Sequence, residues 1–427
     1  MKTKLLLLLL VVFQMSFGQQ RTCGMQEHMN QMMFNPVLKK QYEERQAKFQ
    51  VEYQKLIAQQ ASSQRLLSPN AIITIPVAVH FPEVPASTSA ADKILYRNFA
   101  QSQIDIITND YNATNTDISN WTTASAFYPG VTVGDADLNF IIANKNHPAG
   151  TGLVNGNLAV TFGTDFLGGA DNDATWAGYM NFVVRDLGAN LLGYSPLGGS
   201  PSSGATVVMN TWCYGAGNGV PGTAYVPAAP YNLGRTVTHE LGHFFNLNHT
   251  FKSATASATN CGGADADGIA DTPKQAAATY GCIAAGSKNA CVSPQKVLSM
   301  NYMDYSNDAC MYMFTTGQKN VMLAYINTIV GDYKSDVVLS NESFLNKNFS
   351  FYPNPSNGTF NLQFKEIVSN FSVDIFDVTG KTIYSEEFTQ NADLVKEIKI
   401  QENISKGIYF MNIKTNEGLI TKKIIIE

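Results

Sequence analysis

The chain has 427 residues, of which 29 are basic and 34 acidic, for a formal net charge of −5, and only 15 % are charged. This length suits two or three domains. The charge balance argues against a nucleic-acid-binding surface, which needs clustered positive charge. No apolar run of transmembrane length follows the first twenty residues, so we expect no membrane span in the mature chain.

The N-terminus predicts export. Two lysines precede an apolar run at 5–13, and small residues lead to Gly18 before the polar Gln19. This order is typical of a signal peptide, here 1–18, that is cleaved after Gly18. A membrane anchor is the alternative, but the apolar run is too short for one. An exported chain can form disulfides.

Residues 19–64 are polar and are predicted to form a prosegment with a helix from about Pro36 to Gln60. Two serines precede the lone basic Arg65, and such a stretch is typical of the accessible sites that proteases cut. We therefore expect processing at Gln64–Arg65.

The next region, 65–337, combines strands and helices. Asp92 is predicted to cap a helix in which Leu95, Phe99 and Ile106 share one face. Strands are predicted at 72–81, 138–142, 180–187 and 205–210, and a second helix at 234–247.

Three of the six histidines lie within HELGHFFNLNH at 239–249. His239 and His243 are four residues apart, so on a helix they project from one face and can bind one metal ion. If the helix then stops and turns, His249 returns as a third ligand. Three nitrogen ligands leave a fourth position for water, which is the arrangement of a catalytic zinc. Glu240 lies beside them and can transfer protons without being a ligand.

This run resembles HExxHxxGxxH, the signature of the metzincin metallopeptidases. Asn246 stands where the signature has glycine. The position requires a positive φ, which Asn tolerates best after Gly. A surface helix with incidental histidines is the alternative, but the third histidine at this offset on an exported chain favours the metal site.

The segment NYMDYSNDAC (301–310) resembles the Met-turn region of the pappalysin family, which includes the bacterial ulilysin-like enzymes. The resemblance implies that Met303 forms the turn under the zinc and that Tyr305 lies near the ion. It also implies that Asp308 lies at the base of the primed-side pocket. An acidic group there would favour Arg or Lys after the scissile bond.

Four of the six cysteines lie between 261 and 310, and the sequence alone permits three pairings among them. The pappalysin resemblance implies that the first bonds to the third and the second to the fourth. Carried over to this chain, the disulfides are Cys261–Cys291 and Cys282–Cys310.

The run CGGADADGIADTP (261–273) resembles the calcium loop that follows the zinc helix in these enzymes. Asp265, Asp267, Asp271 and Thr272 supply the hard oxygen ligands that calcium prefers. A solvated acidic turn is the alternative.

RTCG at 21–24 resembles the cysteine switch of metzincin propeptides, in which a thiolate takes the water position on the zinc and keeps the enzyme latent. The resemblance implies that Cys23 is a zinc ligand of the latent form. A disulfide between Cys23 and Cys213 is the alternative, because six cysteines permit a third pair.

The last region, 341–427, contains short alternating runs separated by turn signals, which predicts a small all-β sandwich. It has neither cysteine nor histidine, and its sequence indicates no chemistry. FYPNPSNGTFNL, DVTGKTIY and KKIIIE resemble the C-terminal sorting domain of Bacteroidetes type IX secretion substrates. That resemblance implies export by the type IX machinery and then release or surface attachment. A binding module is the alternative.

The pappalysin resemblance, over about 70–335, implies an α+β metzincin fold, with a mixed twisted sheet, a backing helix and the zinc helix above an irregular lower lobe. It implies a secreted zinc endopeptidase that cleaves proteins or peptides and is made as a latent zymogen. Two rivals remain. One is a catalytically silent surface binding protein or adhesin, against which the intact Glu240 argues. The other is a zincin of another clan that uses a downstream Glu instead of His249.

Overall fold

The structure is a computed structural model. It describes residues 21–61, 72–263, 267–338, 349–364, 368, 370–389, 391–400, 404–415 and 418–427. The predicted signal peptide, the predicted cut at Gln64–Arg65 and the predicted calcium ligand Asp265 lie outside these residues. The chain divides after Val337 into two compact units. None of the helices within the described ranges combines the length and apolar character needed to cross a membrane.

A mixed six-stranded sheet forms the framework of the first unit. Its strands are β1 (Ile73–Phe81), β2 (Leu138–Ile142), β3 (Val160–Phe162), β4 (Met180–Arg185), β5 (Gly193–Tyr194) and β6 (Thr206–Asn210). The order is β2-β1-β4-β6-β5, and β3 also pairs with β1. All pairs are parallel except β5 with β6. The residues of β4 and β6 are buried throughout, as expected of strands covered on both faces.

The helices of this unit are α1 (Met25–Met33), α2 (Pro36–Ala61), α3 (Ala90–Tyr111), α4 (Trp121–Ala124), α5 (Arg235–Phe244) and α6 (Thr316–Ile329). The predicted helices at 36–60 and 234–247 are thereby confirmed as α2 and α5. Helix α3 contacts β2 and α5, and α2 contacts α6. Helix α6 begins with a reciprocal capping box between Thr315 and Gln318.

The prediction for the start of α3 was wrong. The helix begins at Ala90, and Ser89 is the N-cap, whose side chain accepts a hydrogen bond from the backbone N–H of Asp92. Asp92 therefore lies in the first turn, where its charge complements the helix dipole. Of the predicted face, Phe99 is buried but Leu95 is 43 % exposed, and Tyr96 lies on the buried face in its place.

Regular structure is sparse between α5 and α6. Two short parallel strands, β7 (Phe251–Ser253) and β8 (Gln275–Ala277), pair there. Two disulfides cross-link the region, Cys261–Cys291 and Cys282–Cys310. This is the pairing that the resemblance implies, and it provides covalent links where the segment has little ladder hydrogen bonding of its own.

The second unit consists of antiparallel strands in two sheets, ordered β13-β10-β9 and β12-β11-β14-β15. The strands are β9 (Phe349–Tyr352), β10 (Thr359–Phe364), β11 (Phe371–Asp377), β12 (Thr382–Phe388), β13 (Val395–Lys399), β14 (Gly407–Thr415) and β15 (Gly418–Ile426). Alternate apolar residues from both sheets form one core, so the predicted all-β sandwich is confirmed. Strand β13 was not predicted.

Candidate active site

Helix α5 positions two of the three histidines of the sequence motif. It begins after Gly234, whose φ is 74°, and every one of its residues is buried. It ends at Phe244, and the chain reverses through Asn246, whose φ is 72°. This left-handed backbone confirms the turn predicted for that position and directs the chain back toward the helix. His249 follows from the turn.

The three imidazoles converge through one nitrogen each. The Nε2 atoms of His239, His243 and His249 lie 3.1–3.2 Å from one another. Zinc–nitrogen bonds of about 2.0–2.1 Å in tetrahedral geometry would separate such nitrogens by about 3.3–3.4 Å. The triangle therefore has the size that a single zinc ion requires.

The opposite ring nitrogens fix the tautomers. Nδ1 of His239 donates to the carbonyl of Tyr302, and Nδ1 of His243 donates to the carbonyl of Leu247, each at 2.6 Å. A carbonyl can only accept, so each Nδ1 carries the proton and each Nε2 presents its lone pair to the centre. Burial lowers the pKa of His243 to about 4, which keeps the ring in the neutral form that binds metals.

Cys23 brings a sulfur to the same place from more than 200 residues away in sequence. The ligand atoms of Cys23 and the three histidines all lie within 4.8 Å of one another. Neither Cys23 nor Cys213 is in a disulfide, and the Cys213 thiol donates to the carbonyl of Leu192 at 2.9 Å. One sulfur and three imidazole nitrogens are a donor set that zinc accepts, so these residues fit the ion.

Glu240 lies next to this cluster. Its Oε2 accepts a hydrogen bond from the Cys23 thiol at 3.3 Å. The side chain is buried, and burial raises its pKa to about 8, although the hydrogen bond from Cys23 and the charge of Arg21 oppose that rise. A carboxyl group with such a pKa can take up and release a proton near neutral pH.

Met303 lies under α5. The backbone N–H of Met303 donates to the side chain of Asn301 at 2.9 Å, which shapes a tight turn. A Cβ atom added to Gly242 would come within 2.6 Å of the Met303 sulfur. Glycine at that position of the helix therefore permits the close approach of the methionine.

Tyr305 packs against two of the imidazoles. Its ring centroid lies 5.0 Å from that of His249 and 5.8 Å from that of His239. Burial, reinforced by the nearby Cys23 and Glu240, raises the pKa of the Tyr305 phenol well above its usual value. The hydroxyl therefore keeps its proton and can act as a hydrogen-bond donor.

The carboxyl group of Asp308 is fully buried. Its Oδ2 accepts from the backbone N–H groups of Leu233 at 3.0 Å and Arg235 at 3.2 Å. Its Oδ1 accepts from Nη2 of Arg21 at 2.5 Å. The Arg21 guanidinium also lies 5.1 Å from the ring centroid of Tyr231. Asp308 therefore binds the guanidinium of Arg21 in a buried pocket beside the histidine cluster.

The role of Arg21 was not predicted, although the sequence contains its signal. Arg21 stands two residues before Cys23, and the pappalysin resemblance implies that Asp308 lies in a pocket for basic side chains. If Cys23 lies at the metal, a side chain two residues away reaches a neighbouring pocket. The two observations together could have identified the pair.

The segment around Cys23 extends the central sheet at β5. The N–H of Leu192 donates to the carbonyl of Thr22 at 3.1 Å, and the N–H of Gly24 donates to the carbonyl of Gly193 at 2.9 Å. Cys23 and Gly193 form a parallel bridge. Residues 22–24 therefore pair through a single bridge with the edge that β5 would otherwise present.

The predicted calcium loop is only partly covered by the described residues. The Asp271 carboxylate accepts from the Thr315 hydroxyl and the Gly317 N–H at the start of α6, both at 2.7 Å. The Thr272 hydroxyl donates to the carbonyl of Ile269 at 2.8 Å. Oδ1 of Asp267 accepts from the N–H of Ile269 at 3.1 Å. The structure therefore shows Asp271 joining this loop to α6.

Three histidines on and beyond a short helix, a neighbouring glutamate and a methionine turn beneath them define the metal centre of a metallopeptidase. Residues 177–327 match the family described as pregnancy-associated plasma protein-A, peptidase M43. An extracellular metalloprotease of Neurospora crassa is 30 % identical over 259 residues, which cover 60 % of this chain and 75 % of that protein. The chain belongs to the pappalysin family of metallopeptidases.

Two further comparisons agree. An extracellular metalloprotease of Sordaria macrospora is 37 % identical over 41 % of this chain, but this match spans only 57 % of that relative. The structure of a Tannerella forsythia promirolysin mutant is 28 % identical with a TM-score of 0.51, covering 73 % of this chain and 95 % of that one. The first unit therefore has the α+β fold expected from the sequence.

The second unit is identified separately. Residues 350–427 match the secretion system C-terminal sorting domain. This confirms the assignment of the β-sandwich and marks the chain as an exported protein.

Proposed function

We propose that the protein is a secreted zinc endopeptidase made as a latent zymogen. The observation that carries the proposal is the triangle of Nε2 atoms, 3.1–3.2 Å on a side, beside the buried carboxyl group of Glu240. His239, His243 and His249 would hold the zinc. The ion would supply Lewis acidity, which polarises the scissile carbonyl and acidifies a water molecule.

Two residues of this chain would carry the proton transfer and stabilise charge. Glu240 would take the proton of the attacking water and pass it to the leaving amine, a role supported by its burial and its raised pKa. The protonated Tyr305 hydroxyl would donate a hydrogen bond to the developing oxyanion. Its ring contacts with two of the imidazoles support that placement.

We infer that Asp308 selects Arg or Lys at P1′. The pocket already holds the guanidinium of Arg21, through a charge-assisted hydrogen bond of 2.5 Å. Burial strengthens such a contact because water does not compete for either group. A substrate side chain with the same charge would replace Arg21 once the N-terminal segment has left.

The order of Arg21 and Cys23 explains how the segment blocks the site without being cut. In a substrate with Arg at P1′, the residue before the arginine brings its carbonyl to the metal. Here the residue that would bind the metal, Cys23, follows Arg21 by two positions. The prosegment would therefore run opposite to a substrate and present a sulfur as the fourth ligand, because a bound metal ion deprotonates a thiol outright.

Two parts of the proposal concern other partners. Asp265, Asp267, Asp271 and Thr272 would contribute oxygen atoms to a structural calcium ion, which the concentration of hard donors in this loop supports. A calcium-selective chelator should lower the midpoint of thermal unfolding of the protein without removing zinc.

The type IX machinery would carry the protein outward by its sorting domain, as the match at 350–427 supports.

The proposed activity is tested with a peptide library. The processed protein and its Glu240→Ala variant, cut to the same N-terminus by added active enzyme and freed of the prosegment, are incubated with a mixed library, and the products are sequenced. We expect cuts before Arg or Lys from the unmodified protein alone, with equal zinc content in both proteins. Cuts without basic preference would refute the role of Asp308. A folded, zinc-loaded protein that cuts nothing would support the binding-protein alternative.

Self-processing is tested by N-terminal sequencing. Cleavage at Gln64–Arg65 would place Arg65 in the Asp308 pocket, so the mature N-terminus should be Arg65. The Glu240→Ala variant should keep its prosegment when produced alone and should be cut when the active enzyme is added. A variant that matures alone at the same rate would show that another protease does the cutting.

A further inference from the structure

Helix α2 is joined to the zinc motif by a pair of amides. Nε2 of Gln46 donates to Oδ1 of Asn246 at 2.8 Å, and Nδ2 of Asn246 donates to Oε1 of Gln46 at 3.2 Å. Each side chain thus gives and accepts one hydrogen bond. Asn246 is the turn residue of the motif, where the metzincin signature has glycine. Glycine would satisfy the same backbone conformation but would leave Gln46 without this partner.

The amide pair lies directly over the end of α5. The N–H groups of Gly198 and Gly199 donate to the last carbonyls of that helix, those of His243 at 2.9 Å and Phe244 at 3.0 Å. A Cβ atom added to Gly198 would come within 2.7 Å of Nε2 of Gln46 and 2.9 Å of Oδ1 of Asn246. The absence of a side chain at Gly198 therefore lets the amides meet above the loop that caps the zinc helix.

Besides the amide pair, helix α2 packs against the rest of the first unit mainly through one buried side chain. Of the side chains of α2 that the structure describes, Phe49 alone is buried, and its ring centroid lies 6.0 Å from that of Tyr325 on α6. The Tyr325 hydroxyl donates to the carbonyl of Gly199 at 2.8 Å, which ties α6 to the same loop. We name the surface formed by Gly198, Asn246 and Tyr325 the α2 docking surface. A groove of about 340 Å³ lies alongside it.

The proposed cut leaves these contacts intact. Helix α2 ends at Ala61, before Gln64–Arg65. Cleavage there breaks one peptide bond but none of the contacts made by Arg21, Cys23 or Gln46. The cut fragment would therefore still be held at the metal, at Asp308 and at the α2 docking surface.

We propose that the α2 docking surface is a further binding site for the prosegment, separate from the metal centre and from Asp308, and that it retains the cleaved fragment as a bound inhibitor. Activation then has two steps, cleavage and release, and the Gln46–Asn246 pair sets the rate of the second. Since α1 and α2 are a single stretch of chain, the fragment leaves the protein only when both Cys23 and α2 have dissociated. The inference rests on the proposed zymogen function.

Release is measured without catalysis. The full-length Glu240→Ala protein, with a site-specific protease sequence in place of residues 62–65, is cut by that protease, and loss of the fragment is followed by gel filtration. Gln46→Ala removes the pair on the fragment side and leaves the rest of the protein unchanged. Lys48→Ala, at an exposed position of the same helix, is the control.

We expect the fragment to co-elute with the protein after cutting. Gln46→Ala should speed its loss by about 5- to 30-fold, since two neutral hydrogen bonds are removed, and Lys48→Ala should not change it. In an Asn246→Gly background, Gln46→Ala should have no further effect. Retention should also survive Cys23→Ser, with a faster rate but the same dependence on Gln46.

Three results would overturn the inference: immediate loss of the fragment on cutting, equal rates for Gln46→Ala and Lys48→Ala, or an undiminished effect of Gln46→Ala beside Asn246→Gly. Failure of peptide hydrolysis would refute the proposed function alone, because fragment retention is measured in a protein that lacks Glu240.

Discussion

The two units of this chain bury different kinds of side chain. The first buries charged and titratable groups, among them Glu240, Asp304, Asp308 and the ion pair of Arg235 with Asp110. In the described part of the second unit, Ser356 is the one buried polar side chain, and the core is apolar. Both units fold around sheets, so the difference does not follow from the presence of strands.

Burying a charge is unfavourable unless hydrogen bonds and opposite charges compensate it. The first unit provides that compensation around the histidine cluster and Asp308, and also where Asp110 pairs with Arg235 and where Asp304 accepts from Gln275 and Thr279. The second unit avoids the cost, since alternate residues of its strands supply apolar groups alone. The comparison predicts that substitutions around the histidine cluster and Asp308 change chemistry, whereas substitutions in the second unit change stability without altering hydrolysis.

The largest effect should come from removing a metal ligand. His249→Ala should lower zinc content and abolish measurable peptide hydrolysis, because two imidazoles do not hold the ion in an open tetrahedral site. The second-unit counterpart, Ser356→Ala, should change kcat/KM by less than about twofold, because Cys23 and the three histidines of the cluster all belong to the first unit. Metal analysis measures the zinc content of the two variants, and kinetics with a peptide substrate measures their hydrolysis. Zinc retained in His249→Ala would remove this histidine from the ligand set.

Loss of a disulfide should come next. Cys282–Cys310 closes a loop with a sequence separation of 28 residues. Chain-entropy arguments then give a loss of about 3–4 kcal/mol on replacing both cysteines by alanine. Denaturant unfolding of the double variant, compared with the unmodified protein in its oxidised form, measures this loss. An unchanged unfolding midpoint would show that packing alone holds the region.

A cavity in the sandwich should destabilise that unit alone. Leu362 is fully buried in the core of the second unit. Leu362→Ala should lower its unfolding free energy by about 2–5 kcal/mol while leaving kcat/KM unchanged. Calorimetry resolves the unfolding of the sandwich, and peptide hydrolysis reports on the first unit. A parallel loss of peptide hydrolysis would contradict the expectation that substitutions in the second unit leave hydrolysis unaltered.

The smallest effect should be a change of specificity. Asp308→Asn keeps the shape of the pocket and removes its charge. Selectivity for Arg over Leu at P1′ should fall by about 10- to 150-fold, the value of a charge-assisted hydrogen bond of about 1.5–3 kcal/mol. Competition between two peptides that differ only in Arg or Leu at P1′ measures this selectivity. Unaltered selectivity would show that Arg21 occupies a pocket that substrates do not use.

Local patterns predicted the parts of the molecule that depend on neighbours in sequence. The helices around Pro36 and His239 and most strands were identified from periodicity, and the turn at Asn246 from the need for a positive φ. The cap at Ser89 was missed because two acceptors, three residues apart, could each begin α3. The contact of Arg21 with Asp308 joins residues 287 positions apart, so it follows only when the two resemblances at Cys23 and Asp308 are combined and not from a local pattern.

The edge position of β5 has a consequence for what the enzyme could attack. Residues 22–24 pair with Leu192 and Gly193 through backbone groups, and β5 pairs with β6 on its other side. When that segment leaves, the freed N–H and C=O groups could accept any chain that is already extended, whatever its side chains. A helix or a compact hairpin could not present its backbone in this way. Susceptible bonds would therefore lie in loops, tails and unfolded segments, and local unfolding of the target would limit cleavage of compact proteins.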